Sequence, residues 1–382
     1  MCLTWFLVCL VGFFGTLWVY GEDTEERKEM ELYAQGAALV DGDTGRLLYG
    51  KNEDTPMAMA STTKIMTCLV ALENSNMKDK VQISEYAASM PDVQLNAVQG
   101  DTFYMKDLLY ALMLESHNDV AVAIAEYIGG SEEGFAEMMN IRAERLGCKQ
   151  THFVTANGLD ADGHCTTAKE LAQITVEALK NEQFVEIINT SSYEFSNIEG
   201  TRHYQVNNKN SFLYLMEGAF GVKTGFTNDA GYCFVGAASQ NEETFISVVL
   251  GSGWPPDKTL KWKDTTALME YGFDCYEKKE IGTNQLDAGV LEVRNGVKNE
   301  VILKADCQTR DIILNEKDVV SIEIIKELRK NAPVKQNEIV GWVYYKVNNQ
   351  TIDTYPIYTI ESIERKNLVY CLKSLLKQWQ FF

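Results

Sequence analysis

Residues 57–73 read MAMASTTKIMTCLVALE. Ile65, Met66, Cys68, Leu69, Val70, Ala71 and Leu72 leave almost no polar face on a helix, and such a helix is buried in the core of a sizeable protein. Yet it opens on Ser61 and carries Lys64 at the neighbouring i+3 position. An N-cap accounts for a serine at a helix start, but not for a buried lysine beside it. An ammonium is costly to bury unless it is paired or neutralised. A neutral amine beside a hydroxyl, however, is a base beside a nucleophile. Free lysine titrates at about 10.4, so neutrality at working pH needs a shift of about three units, or roughly 4 kcal/mol. Burial and a second nearby cation both push that way, so this reading requires a second cation and an oxyanion site elsewhere in the chain.

Lys223, in GVKTGFT (residues 221–227), supplies the cation. It falls on an expected strand with Gly225 on the same face, where the missing side chain leaves room for a substrate backbone. Ser116-His117-Asn118, in ESHNDVA, falls at the junction of two expected helices, where a loop can turn polar groups into a cleft. Other matches to these patterns are explained locally. Ser75 with Lys78 sits in a polar helix end, Ser374 with Lys377 on the polar face of the tail, and Ser239-Gln240-Asn241 in a hairpin turn.

The chain has 382 residues, 46% apolar and 23% charged, which allows two ordinary globular domains. Its formal net charge of -19 argues against a nucleic-acid partner, which requires clustered Lys and Arg. Residues 1–20 carry no charge, so residues 1–21 read as a signal peptide or an uncleaved anchor, followed by a polar spacer at 22–30. The cysteines beyond that segment are Cys68, Cys148, Cys165, Cys233, Cys275, Cys307 and Cys371. Their odd number and the lack of CxxC or HExxH spacing give no sign of a disulfide scaffold, a zinc ribbon or a metallopeptidase site.

Strands are expected at 37–40 and 46–49, and helices from 61, at 105–114, 119–128 and 171–179. Further strands are expected at 221–225, 232–239 and 244–250, the last two joined by a turn at 240–243. This order suggests an α+β catalytic domain, residues 31–278, in which helices and an antiparallel sheet share one core. Residues 285–362 read as a small all-β domain with an Asn-Gly hairpin. In residues 363–382, Leu368, Leu372, Leu375, Leu376 and Trp379 alternate at helical spacing with Lys366, Lys373 and Lys377. That pattern suits a basic amphipathic helix on a membrane surface, or a helix docked on the β domain.

The set S-x-x-K, S-x-N and K-T-G, in that order, is shared by penicillin-binding proteins and class A β-lactamases. ASTTKIMT, ESHNDVAVAIAE and GVKTGFTNDAGYCFVGAA resemble the motif blocks of the serine-type D-alanyl-D-alanine carboxypeptidases, the low-molecular-mass penicillin-binding proteins. The order of domains resembles theirs too, over nearly the whole chain. The resemblance implies the α/β (α+β) fold of the serine β-lactamase/transpeptidase class, with an antiparallel sheet and helices. It also implies export to the outer face of the bacterial cytoplasmic membrane, a peptidoglycan stem peptide as substrate and β-lactam antibiotics as inhibitors. By resemblance, Ser61 is the nucleophile, Lys64 the base and Ser116 the proton relay to the leaving amine. Asn118 holds the peptide amide, and the N–H groups of Ser61 and Phe226 form the oxyanion hole. Lys223, Thr224, Gly225 and Thr227 form the carboxylate-binding strand, with Lys209 as an auxiliary cation. His117 departs from the glycine usual at its position and places bulk at the cleft rim. A β-lactamase stays open, because Glu177 and Asn181 have a carboxylate–amide spacing seen in class A enzymes, although they fall within an apparent helix. A non-catalytic penicillin-binding sensor or wall-binding protein also stays open.

Overall fold

The computed structural model describes residues 16–18, 30–91, 93–284 and 286–379. They fall into two compact units that divide between Cys275 and Tyr276.

The first unit opens with the hairpin of β1 (Gly36–Asp41) and β2 (Leu47–Lys51). A 3₁₀ turn, Ala60–Thr63, leads into α1 (Lys64–Asn74). Then come α2 (Met105–Leu114), α3 (Asn118–Gly129), α4 (Glu132–Arg145) and α5 (Ala168–Leu179). Strands β3 (Ala219–Thr227), β4 (Gly231–Gln240) and β5 (Glu243–Leu250) follow, and α6 (Leu260–Cys275) closes the unit. The sheet is antiparallel in the order β2-β1-β5-β4-β3. The β4–β5 turn has positive φ at both Asn241 (50°) and Glu242 (66°), the signature of a type I′ hairpin.

The sheet is covered twice, by α5 and by α6. That explains why β1, FVGAA of β4 and FISVVL of β5 read as continuous apolar runs rather than alternating ones: both faces are inside. Helix α1 lies at the centre and touches α2, α3, α4, α5 and β3. Residues 64–71 are all buried, as its all-round apolar character requires. Helix α3 ends at Gly130, whose φ of 75° suits a left-handed C-cap. Helices α4 and α6 were not anticipated from sequence. The first buries only a narrow apolar stripe (Phe135, Ala136, Met139 and Ala143), and the second buries Lys261, Asp264 and Thr265 along with Leu268 and Met269, so the apolar helical period is weak in both.

The second unit is an all-β fold with its own core, including Leu291, Val301, Leu303, Val343, Tyr345 and Ile357. Strands β6 (Leu286–Arg294) and β7 (Glu300–Ala305) form the hairpin at Asn295-Gly296, with Asn295 at φ 58°. After β8 (Val320–Lys326), strands β9 (Ile339–Val347) and β10 (Gln350–Thr359) pair through a second I′ turn, with φ 49° at Asn348 and 65° at Asn349. Thr16–Trp18 pairs antiparallel with β8. The rest of the expected signal or anchor segment, and the spacer up to residue 29, lie outside the described residues.

Helix α7 (Leu368–Trp379) ends the described chain. It is tethered to the β fold by Tyr370, whose hydroxyl donates to the Val297 carbonyl at 3.1 Å. Leu368, Val369, Leu372 and Leu376 are nonetheless exposed, Leu368 by 77% and Leu376 by 66%, so these side chains do not dock on the β fold. Among the described residues no helix is long and apolar enough to cross a membrane.

Candidate active site

Ser61 lies in the 3₁₀ turn ahead of α1, not at the helix cap: the cap position is Thr63, and no side chain caps this end. Lys64 is the first residue of α1 and has no exposed surface. Its Nζ lies 2.9 Å from Ser61 Oγ and donates to Asn118 Oδ1 at 2.8 Å and to the Asn157 carbonyl at 2.5 Å. One amine thus ties the Ser61 turn to the start of α3 and to the Asn157 loop, both distant in sequence. Burial pushes its pKa well down, Lys223 pushes the same way, and Asp119 opposes them. These are the two causes, burial and a second cation, that the sequence required.

Ser116 and Asn118 sit at the α2–α3 junction. Ser116 adopts φ 74°, a left-handed conformation uncommon for a serine. Its hydroxyl is buried with no hydrogen-bond partner among the described residues. Asn118 is oriented by its second amide atom, Nδ2, which donates to the Pro91 carbonyl at 3.1 Å. Asp119 accepts from the backbone N–H of Leu95 at 3.0 Å and pins the adjoining loop. The expected bulk of His117 at the rim is corrected by the structure. The ring is 3% exposed and turns inward, with Nε2 3.3 Å from Glu115 Oε2.

Strand β3 forms the other wall. Lys223 is 2% exposed, its Nζ donates to the Thr224 carbonyl at 3.2 Å, and its pKa falls to about 7 through burial and then Lys261. Lys261, on α6, lies over the rings of Tyr232 (5.0 Å) and Trp262 (4.9 Å), and burial lowers its pKa to about 8. Gly225 has a firmer reason than the one read from sequence. A Cβ there would sit 3.0 Å from both the Ser61 and Thr62 nitrogens, so the glycine lets β3 lie against the Ser61 turn itself. Thr224 and Phe226 flank it, and Phe226 is 38% exposed with its ring packed on Tyr232. Thr227 Oγ1 donates to Asp160 Oδ1 at 2.7 Å, so it would bind a substrate carboxylate only by exchanging that partner. Lys209 lies farther out, 3.0 Å from Glu115 Oε1, in the residue next to Ser116.

A family model described as D-alanyl-D-alanine carboxypeptidase matches residues 22–253, and the C-terminal domain of penicillin-binding protein 5 matches residues 276–365. The chain belongs to the D-alanyl-D-alanine carboxypeptidase family. It is 30% identical over 371 residues to the D-alanyl-D-alanine carboxypeptidase DacF of Bacillus subtilis, covering 94% of each chain. Penicillin-binding protein 5 of Haemophilus influenzae superposes with a TM-score of 0.71 and 25% identity, over 89% of this chain and 100% of that one. The Streptomyces K15 DD-transpeptidase superposes at 0.61 and 33% identity, over 65% of this chain and 100% of that one.

In this carboxypeptidase, the two residues that kept a β-lactamase open do structural work. Glu177 pairs with Arg142 (2.6 Å) and Lys180 (2.8 Å), and Asn181 caps the next short helix. The sequence reading missed three contributors: Asn157, Asp160 and Lys261. Asn157 acts through its backbone carbonyl, which no residue type advertises. Asp160 stands in a polar loop, ANGLDADG, that looks like any turn. Lys261 stands in KTLKWKD, where one lysine of three is buried, and only the packing of α6 on the sheet selects it.

Proposed function

We propose that Ser61 is the nucleophile of this serine-type D-alanyl-D-alanine carboxypeptidase and that it removes the terminal D-alanine from peptidoglycan stem pentapeptides. The observation that carries this reading is the 2.9 Å contact between Ser61 Oγ and a lysine with no exposed surface. Ser61 Oγ attacks the penultimate D-alanine carbonyl and passes its proton to neutral Lys64. The tetrahedral oxyanion is held by the N–H groups of Ser61 and Phe226, each such donor being worth about 3–4 kcal/mol. Collapse expels D-alanine, whose amine takes up the proton through Ser116. Water then attacks the acyl ester, a proton returns to Ser61, and the shortened peptide leaves.

Asn118 positions the peptide amide. Lys223 and Thr224 hold the terminal carboxylate, with Lys209 contributing from outside the pair. No step requires a metal or cofactor. A β-lactam is attacked by the same serine and inhibits by leaving a long-lived acyl ester. The exposed leucines of α7 support docking of the tail on a membrane surface, which together with an export signal would hold the enzyme at the outer face of the cytoplasmic membrane.

The test is release of D-alanine from a stem pentapeptide by the purified full chain. Rapid turnover of benzylpenicillin without peptide cleavage would point to a β-lactamase, and slow acylation without either activity to a sensor.

A further inference from the structure

Ser61 follows a residue in an uncommon conformation. Ala60 has φ 49°, a left-handed value that only surrounding contacts maintain in a residue with a Cβ. The Ala60 carbonyl and the Ser61 N–H belong to one planar peptide unit and point in opposite directions. Whatever orients that carbonyl therefore orients the N–H assigned to the oxyanion hole.

The carbonyl is held from within. Thr63 Oγ1 donates to Ala60 O at 2.7 Å, and the same Oγ1 lies 2.8 Å from His164 Nε2. The other ring nitrogen settles which way the protons run. His164 Nδ1 accepts the Val154 N–H at 3.0 Å, so the neutral ring carries its proton on Nε2 and donates it to Thr63. Burial pushes His164 down to about 4, which keeps the ring neutral. The result is a directed chain from His164 Nε2–H, through the Thr63 hydroxyl, to the Ala60 carbonyl. Ala60 is 1%, Thr63 0% and His164 6% exposed, so the chain runs through a low-dielectric interior where successive hydrogen bonds polarise one another. Gly158, at φ 83°, crowds the same carbonyl: a Cβ there would lie 2.1 Å from Ala60 O.

We propose that His164 is a positioning residue for catalysis, acting through Thr63 to orient and polarise the Ala60–Ser61 peptide and so strengthen the Ser61 N–H as an oxyanion donor. The proposal rests on Ser61 being the nucleophile. Both His164 and Thr63 are buried, so the effect runs through the peptide unit rather than through contact with substrate. Polarisation of the carbonyl draws electron density from the amide nitrogen. The gain is realised as negative charge builds on the substrate oxygen, so it belongs to the transition state rather than to substrate binding.

The test compares the full chain with Thr63→Val, Thr63→Ser, His164→Phe, His164→Gln and the double variant Thr63→Val/His164→Phe. Two readouts are taken: the binding and acylation constants for a fluorescent penicillin, and KM and kcat for a pentapeptide. Thr63→Val keeps the shape and removes the hydroxyl, and His164→Phe keeps a ring and removes the donor. Each is expected to slow acylation and kcat by about 10- to 100-fold, below the cost of deleting an oxyanion donor outright, while initial binding and KM stay within about threefold. Thr63→Ser and His164→Gln, which retain the donors, are expected to recover most of the rate. Members of one chain are non-additive, so the double variant should be no slower than the worse single one by more than about threefold.

Acylation by Thr63→Val within about threefold of the parent would overturn the proposal. So would a loss confined to KM, failure of Thr63→Ser to recover, or losses that multiply in the double variant. If His164→Phe does not fold, the Thr63→Val and Thr63→Ser pair decides alone. A parent that is acylated at Ser61 but releases no D-alanine would refute the peptide substrate and leave this test intact. A parent not acylated at Ser61 would refute both.

Discussion

Lys64 Nζ lies 2.9 Å from Ser61 Oγ, and the contact is made from the first turn of a helix buried on every side. Residues i and i+3 are neighbours on any helix, but here the neighbour is an amine with no exposed surface, held by the Asn118 side chain and the Asn157 carbonyl.

That contact predicts one penicillin adduct per chain by intact mass, absent in Ser61→Ala. An adduct that persists in Ser61→Ala would assign the nucleophile elsewhere. Lys64→Met should slow acylation by about 100-fold or more, in the range of general-base loss. The same change removes a buried amine, so the thermal midpoint should hold or rise. Acylation within about tenfold of the parent would remove Lys64 as the base.

Gly225→Ala places a methyl group 3.0 Å from the Ser61 and Thr62 nitrogens, which are backbone atoms with little freedom to give way. The variant should lose about 1–3 kcal/mol of stability by denaturant titration and at least about tenfold in acylation, because β3 and the nucleophile turn must separate. Parental acylation would show that the turn shifts at no cost.

The two buried lysines set the pH dependence. As the proposed base, Lys64 would act only when neutral, so kcat/KM should climb from the acid side as it loses its proton. Lys223, held down to about 7 by burial and then Lys261, would as the proposed carboxylate ligand bind only when charged, so KM should rise above neutral pH. A KM flat to pH of about 9 would mean that another group holds the carboxylate.

Lys223 also couples pH to folding. Its folded pKa of about 7 lies below the ordinary 10.5, so across that window the unfolded chain holds more protons. Raising the pH through the window should therefore favour the folded state, by up to about 1.4 kcal/mol per pH unit. This gain is absent below the folded value and complete above the ordinary one. Urea titrations of the parent from neutral to alkaline pH should show it relative to Lys223→Met, and equal pH slopes in the two proteins would contradict the shift.

Exposed leucines on α7 lead to a membrane prediction. Burying each side chain is worth about 1.5–3 kcal/mol, and Lys366 and Lys373 add an attraction to anionic lipid that weakens with salt. A chain lacking residues 1–21 should sediment with anionic vesicles, less so with Leu372 and Leu376 changed to Ser. Equal sedimentation after removal of residues 365–382 would place the membrane contact elsewhere.

Much of this protein could be read from residue order. The apolar run after Ser61 specified a buried helix, and the lysine within it demanded a partner. Asn295-Gly296 marked a hairpin because that turn places Asn295 at positive φ, a conformation Asn and Gly adopt readily. The repeated leucines from 368 onward marked a helix with one apolar face. Periodicity and turn chemistry act over a few residues, so they are legible without knowing what lies across the fold.

What tertiary structure decided were relationships that depend on which surfaces meet. Sequence placed Gly225 beside Lys223, and the fold placed it against Ser61. Asn157 and Thr227 with Asp160 became part of the site only when the loop after α4 closed over the nucleophile turn. Lys261 was selected from three neighbouring lysines by the packing of α6 on the sheet, and His117 turned inward to Glu115 instead of standing at the rim. A lysine becomes a base, or a glycine a necessity, through burial and through atoms contributed by segments tens of residues away. Neither burial nor those atoms are properties of the residue itself, so they exist only once the chain has packed.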